Sequence, residues 1–185
     1  MKVYLLRHSM TQGNLEGRYI GSTEECLCEE GICLASAKIM PKVDKVYISP
    51  AKRCMETADI VYTDITKSII PGLRETDFGD FENKNYQELD GNVDYQNWID
   101  TMGKCGFPNG ESFEDAYNRA IDAFEVIIKD AMKKGYQDIA VVTHGGTIMA
   151  IMDRFSPEKK DYFEWHVKNC KGYLLEINGG SKCYQ

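Results

Sequence analysis

The chain has 185 residues, 43% hydrophobic and 28% charged, long enough for one domain with a full core. Its formal net charge of −7 excludes a nucleic-acid or anionic-membrane binder, because such proteins carry clustered excess Lys and Arg. Any basic site must be local. In chain order, an apolar run Val3 to Leu6 predicts a buried strand, followed by a polar loop. Glu29 to Met40 predicts a helix, Lys45 to Ile48 a strand, and Ala51 to Tyr62 a helix started by Ser49-Pro50, since Pro suits a first helical turn. Ser68 to Ile70 reads as a strand closed by Pro71-Gly72.

Residues 73–109 are irregular, carry the acidic and aromatic segment Glu75 to Glu82, and hold short helices around Trp98; such insertions shape a pocket mouth. Ser112 caps a long helix whose stripe of Phe113, Ala116, Tyr117, Ala120, Ala123, Phe124, Ile127, Ile128 and Ala131 is assigned to the core. That helix stops near Gly135. Asp138 to Val142 becomes the central strand, and Gly172 to Ile177 a last, antiparallel edge strand. Apolar runs alternating with helical patterns are the βαβ signature: a three-layer α/β/α sandwich, with a mostly parallel central sheet and helices on both faces, forming one domain over residues 1–185 with 73–109 as a cap insertion.

No apolar signal segment follows Met1-Lys2, and no run approaches the roughly 18 apolar residues of a membrane helix. The expectation is a cytoplasmic protein. Seven cysteines, at 26, 28, 33, 54, 105, 170 and 183, read as free thiols in that setting. The Cys26-x-Cys28-x4-Cys33 cluster lacks the paired C-x2-C spacing of a zinc site.

Chemistry concentrates at two strand ends. The first strand delivers Arg7-His8-Ser9-Met10-Thr11 and the central strand Thr143-His144-Gly145-Gly146. In open α/β sheets ligands bind at the carboxyl ends of strands, and a helix starting there points unpaired N–H groups at an anion. A histidine beside phosphate acts as a base, a metal ligand or a nucleophile, and its companions decide. Here Arg7 adjoins His8, and Arg53 lies in the first turns of the helix after Ser49-Pro50. Two guanidiniums hold phosphoryl oxygens by charge-assisted hydrogen bonds, so no metal is required. His166 reads as a packing or surface histidine, Glu24 and Glu25 as solvated, Thr11 as a helix cap, and Tyr95, Trp98 and Phe107 as core rather than pocket wall.

The segment Leu6-Arg7-His8-Ser9-Met10-Thr11-Gln12-Gly13-Asn14 resembles the R-H-G-x-T-x-x-N signature of the histidine phosphatase superfamily, also called phosphoglycerate-mutase-like. The resemblance continues in order along nearly the whole chain: Gly21-Ser22-Thr23-Glu24 with Leu27, Ser49-Pro50-Ala51-Lys52-Arg53 with Thr57-Ala58, Leu73-Arg74-Glu75 with Phe78-Gly79, Pro108-Asn109-Gly110-Glu111-Ser112, and Thr143-His144-Gly145-Gly146. It implies that His8 is the nucleophile, its other ring nitrogen held by a backbone carbonyl. It further implies that Arg7, Arg53 and His144 clamp the phosphoryl oxygens, with Asn14 and Gly145 in the phosphate site, and that Glu75 protonates the leaving oxygen and later activates water.

From the residues alone, Asp77, Asp80 and Glu82 rival Glu75 for the acid role; only the motif's spacing selects it. Ser9 replaces the family's Gly after the nucleophile, and Cys26, Cys28 and Asn83 also depart from the pattern. The chain lacks the mutases' basic cap, and its Phe78-Gly79-Asp80-Phe81-Glu82 segment is most similar to the α-ribazole phosphatases of cobalamin assembly. The resemblance therefore implies a small-molecule phosphomonoester as partner, with no cofactor, metal, nucleic acid or membrane. The acidic segment implies a rim that disfavours polyphosphorylated substrates. Phosphoglycerate mutase activity, a catalytically silent phosphate- or partner-binding module and a metal-dependent hydrolase remain as alternatives, and the oligomeric state is open.

Overall fold

The computed structural model describes residues 1–177, so Cys183 lies outside the described residues. Among these, β1 (Lys2–Arg7), β2 (Lys45–Ile48), β3 (Lys67–Ile69), β4 (Asp138–Thr143) and β5 (Gly172–Glu176) form one sheet in the order β3-β2-β4-β1-β5. The first four run parallel, and β5 closes the edge antiparallel to β1. The helices are α1 (Gln12–Leu15), α2 (Glu29–Ser36), α3 (Lys52–Val61), α4 (Val93–Asp100), α5 (Phe113–Lys134) and α6 (Gly145–Phe155).

The strands read as continuous apolar runs because both faces of the sheet are covered. Successive side chains alternate between faces. Val3, Leu5, Ile139 and Val141 pack with Phe124 and Ile127 of α5 and Ile148 and Ile151 of α6. Leu6, Val46, Ile48, Ala140 and Val142 face the other way, against Cys54 and Ala58 of α3. The result is the expected three-layer α/β/α architecture.

Helix α5 begins where Ser112 Oγ accepts the Asp115 N–H and ends at Gly135, whose φ of 72° is the left-handed conformation that glycine adopts without strain. Its first turn departs from the core assignment, since Phe113 and Ala116 line a cavity instead. Helix α2 stops at Ser36, short of the expected Met40. The residue before Pro41, Met40, is disfavoured in helical conformation, and Ile39 is 93% exposed, so Ile39 adds no apolar contact that would hold a further turn. Pro50 precedes the α3 cap, Ala51, rather than opening the helix. Thr11 caps the short α1.

Candidate active site

Strand register brings the two histidines together. Arg7 of β1 pairs with Thr143 of β4, so His8 and His144 leave the sheet side by side, their rings edge-on with centroids 5.2 Å apart. The His8 N–H donates to the Thr143 carbonyl at 2.8 Å. On the other flank of β4, Ile48 pairs with Val142. Ser49 therefore emerges beside His144, with its Oγ 2.7 Å from His144 Nε2. Three strand ends thus meet where the chain order reverses, the position at which such sheets bind ligands.

His8 Nδ1 lies 2.7 Å from the Ser9 carbonyl. A carbonyl only accepts, so the proton sits on Nδ1 and Nε2 carries the lone pair. Burial first, then the charges of Arg53 and Arg7, holds His8 well below the ordinary histidine range. Burial first, then Arg53, His8, Arg7 and Arg119, holds His144 down as well. Both rings are neutral at pH 7. Burial raises the neighbouring Cys54 thiol to about 12, so it stays protonated, with its Sγ 3.5 Å from His144 Nε2.

The two arginines are held differently from the paired clamp expected of them. Arg7 Nη1 donates to the Val167 carbonyl at 2.7 Å. Arg53 is 1% exposed, and its terminal nitrogens donate to the carbonyls of Ile20, Gly21 and Thr23. Each guanidinium keeps a buried Nε–H without a protein partner. These hydrogen bonds go to neutral carbonyls, and the carboxylate of Glu75 acts on Arg7 through its charge alone.

A cavity of about 280 Å³ opens above His8 and is lined by Arg7, Asn14, Glu75, Gly145 and Gly146 together with aromatic side chains. His144 and Arg53 are buried and do not line it; His144 meets it through its ring contact with His8. Two larger surface hollows, along α4 and beside α2, are lined by no histidine, arginine or lysine. Chemistry therefore selects the smaller cavity.

Of the four acidic rivals, only Glu75 lines this cavity. Its carboxylate accepts the N–H of Thr76 at 3.0 Å and that of Gly146 at 3.3 Å, over the first turn of α6. Asp77 is turned to the Gly79 N–H and Asp80 to the Asn109 amide. Glu82 gathers the N–H groups of Gly21, Ser22, Thr23 and Phe78, fixing the loop whose carbonyls hold Arg53. The expected acidic rim is thus absent from the cavity wall, because Asp77 and Glu82 are turned to backbone N–H groups, Asp80 to the Asn109 side chain, and the wall is largely aromatic. Trp98 and Phe107 line the cavity, whereas Tyr95 stacks behind Trp98 at 6.0 Å. His166, read as packing or surface, stands exposed at the mouth.

Ser9 is fully buried, and its Oγ donates to the Gly31 carbonyl at 2.6 Å. The hydroxyl that replaces the family glycine is therefore directed toward α2. Arg119 was not singled out in the sequence, although a charge three residues after Ala116 on an apolar stripe was its signal. It donates to the carbonyls of Gly72, Arg74 and Glu75 and pairs with Glu111 at 2.6 Å, gripping the loop that presents Glu75. Among the described residues, no three His, Cys, Asp or Glu side chains are grouped to hold a metal ion, and no helix is long and apolar enough to cross a membrane.

Residues 3–184 match the family model described as the histidine phosphatase superfamily, branch 1. The chain is 29% identical to the adenosylcobalamin/alpha-ribazole phosphatase of Escherichia coli over 98% of its own length and 92% of the relative's. It is 31% identical to a metal-independent phosphoserine phosphatase of Arabidopsis thaliana over 84% of its length and 68% of that protein's. Among solved structures, the alpha-ribazole phosphatase from Shigella flexneri superposes with a TM-score of 0.84 at 26% identity, covering 100% of this chain and 93% of the other. The chain belongs to the histidine phosphatase superfamily, branch 1, and is a phosphatase.

Proposed function

We propose that this protein hydrolyses small-molecule phosphomonoesters without a metal, through a phosphohistidine at His8, and that its substrate is α-ribazole 5′-phosphate in cobalamin synthesis. The observation that carries the reaction is the 2.7 Å contact between His8 Nδ1 and the Ser9 carbonyl, which leaves Nε2 unprotonated, with the charges of Arg53 and Arg7 acting on the ring. In the first half-reaction Nε2 bonds to phosphorus, the ester P–O bond breaks, and protonated Glu75 gives its proton to the departing alcohol oxygen. In the second, the Glu75 carboxylate takes a proton from water, the water oxygen attacks phosphorus, and the P–N bond breaks. Phosphate leaves, and His8 returns neutral with Glu75 protonated.

Arg7 and Arg53 supply the positive charge that the transferring group needs. Asn14 Oδ1 is already occupied by the Thr11 N–H and Asn169 Nδ2, so its own amide N–H groups are left to donate to a phosphoryl oxygen. His144 is held below the ordinary histidine range by burial and then by the charge of Arg53, with Ser49 Oγ 2.7 Å from its Nε2, and its role is to bind the same group.

The substrate reading rests on the wall of the cavity. Tyr19, Phe78, Trp98, Phe107, Phe113 and Tyr162 line it, a surface suited to a planar, uncharged group such as a benzimidazole riboside. A phosphoserine substrate is the second reading, favoured by the Arabidopsis relative's name. Its ammonium would find only Glu75 among lining carboxylates.

The test is phosphate release from α-ribazole 5′-phosphate, phosphoserine and 3-phosphoglycerate in excess EDTA, for wild type and His8→Ala side by side. Release by wild type alone, fastest from the ribazole ester, is expected. Equal release by His8→Ala would sink the nucleophile; preference for phosphoserine would replace the substrate. No release from any ester would favour the silent binding module.

A further inference from the structure

Once β1 ends at Arg7, the carbonyls of His8 and Ser9 have left the sheet and need other partners. They are met by a turn just before β5. The Cys170 N–H lies 3.2 Å from both the Arg7 and the His8 carbonyls. Asn169 Nδ2 lies 3.2 Å from the His8 carbonyl, 3.4 Å from the Ser9 carbonyl and 2.9 Å from Asn14 Oδ1. All three neighbours are acceptors. The two carbonyls are so by nature, and Asn14 Oδ1 is fixed as one because it accepts the Thr11 N–H. Asn169 therefore presents its NH2 group, and its orientation is settled by chemistry.

The Ser9 carbonyl that receives this NH2 group is the same one that receives His8 Nδ1–H. Ser9 is pinned on its other sides as well: its N–H donates to Thr57 Oγ1 at 2.9 Å and its hydroxyl to the Gly31 carbonyl. Asn169 supplies the remaining hold, on the carbonyl itself. It does not line the cavity, so it acts through its neighbours.

We propose that Asn169 is a positioning residue for the nucleophile: its amide fixes the Ser9 carbonyl as the acceptor for His8 Nδ1–H and turns the Asn14 amide N–H groups toward the phosphoryl site. The role in turnover rests on the reading of His8 as nucleophile. An aspartate of the same shape would set a carboxylate against three acceptor oxygens. It would push the Ser9 carbonyl away and release the ring to carry its proton on either nitrogen.

The experiment compares wild type, Asn169→Asp and Asn169→Ser. The chain has three histidines, so long-range ¹H–¹⁵N spectra resolve the proton position on His8 separately from turnover. In wild type, the expected result is a His8 proton on Nδ1 and a phosphoryl group trapped on His8 by alkaline quenching. In Asn169→Asp, kcat should fall by roughly 10²-fold, the scale of a misplaced reacting group, with mixed His8 tautomers. Asn169→Ser, which keeps one donor, should fall between the two. If Asn169→Asp does not fold, Asn169→Ser decides the matter. A folded variant with its His8 proton still wholly on Nδ1 and kcat within twofold of wild type overturns the proposal, as does a loss of kcat that only follows the folded fraction. If wild type traps no phosphoryl group on His8, the nucleophile reading fails, while the tautomer in the variants still decides whether Asn169 holds the ring.

Discussion

At the residue scale, the site depends on where single atoms are held. Glu75→Gln keeps the acceptor for the Gly146 N–H but cannot donate a carboxyl proton. Turnover should drop by about 10²–10⁴-fold, the worth of a general acid, with substrate affinity retained in a binding titration. Near-normal turnover would move the acid role to a neighbour. Gly146 is a stricter constraint on the same group, because a Cβ there would lie 2.6 Å from Glu75 Oε1. Gly146→Ala should displace the carboxylate and lower kcat with little change in melting temperature; an unchanged kcat would mean that this placement of Glu75 is not required. Ser9→Gly tests the family departure. Losing the hydrogen bond to Gly31 should cost about 1 kcal/mol in urea unfolding and lower kcat less than Asn169→Asp does, because the hydroxyl faces α2 and the Ser9 N–H still donates to Thr57.

At the scale of elements, α5 does two separable things. Its buried stripe covers the sheet, and Arg119 reaches from its flank to hold the loop carrying Glu75. Both Arg119 and Glu111 are largely buried as side chains, and Arg119→Met removes one of the two arginines paired with Glu111, leaving the more exposed Arg74 at 3.0 Å. It should cost about 2 kcal/mol, the scale of hydrogen bonds to a charged group, and also lower kcat, measured by denaturant unfolding and by turnover. Gly135→Ala, at the far end of the same helix, places a Cβ on a φ of 72°. It should cost about 1 kcal/mol and leave kcat untouched. A variant that loses stability and activity together at Gly135 would show that α5 acts as one lever rather than as two ends with different tasks.

For the whole molecule, two buried neutral histidines make stability depend on pH. Their folded values are held below the unfolded 6.5, chiefly by burial. As pH falls below 6.5, the unfolded chain takes up protons that the folded chain refuses, so stability is lost toward acid and fully present above it. The slope is up to about 1.4 kcal/mol per pH unit for each histidine. Urea unfolding at pH 7.5 and 5.5 should show a smaller difference for His8→Gln than for wild type; equal differences would mean that the folded protein protonates His8 readily.

Periodicity and punctuation were enough, in the sequence alone, for the layered fold: β1 and β4 as buried runs, the α5 stripe, and Ser112 and Gly135 as its ends. These are decided by neighbours close along the chain, and so are the motifs that place His8, Arg53, Glu75 and His144 at element ends. Contacts between distant segments were beyond the sequence. That Arg53 spends its terminal nitrogens on residues 20–23, that Ser9 turns to Gly31, that Asp77 and Glu82 are taken by backbone and Asp80 by Asn109, and that Trp98 and Phe107 face the cavity were decided only in three dimensions. A side chain's partner there depends on which loops the sheet register brings within about 3 Å, the reach of a hydrogen bond, and no local pattern encodes that distance. Asn169 is the clearest instance: it is one polar residue in a turn until β5 pairs antiparallel to β1 and carries it to the carbonyls that aim His8.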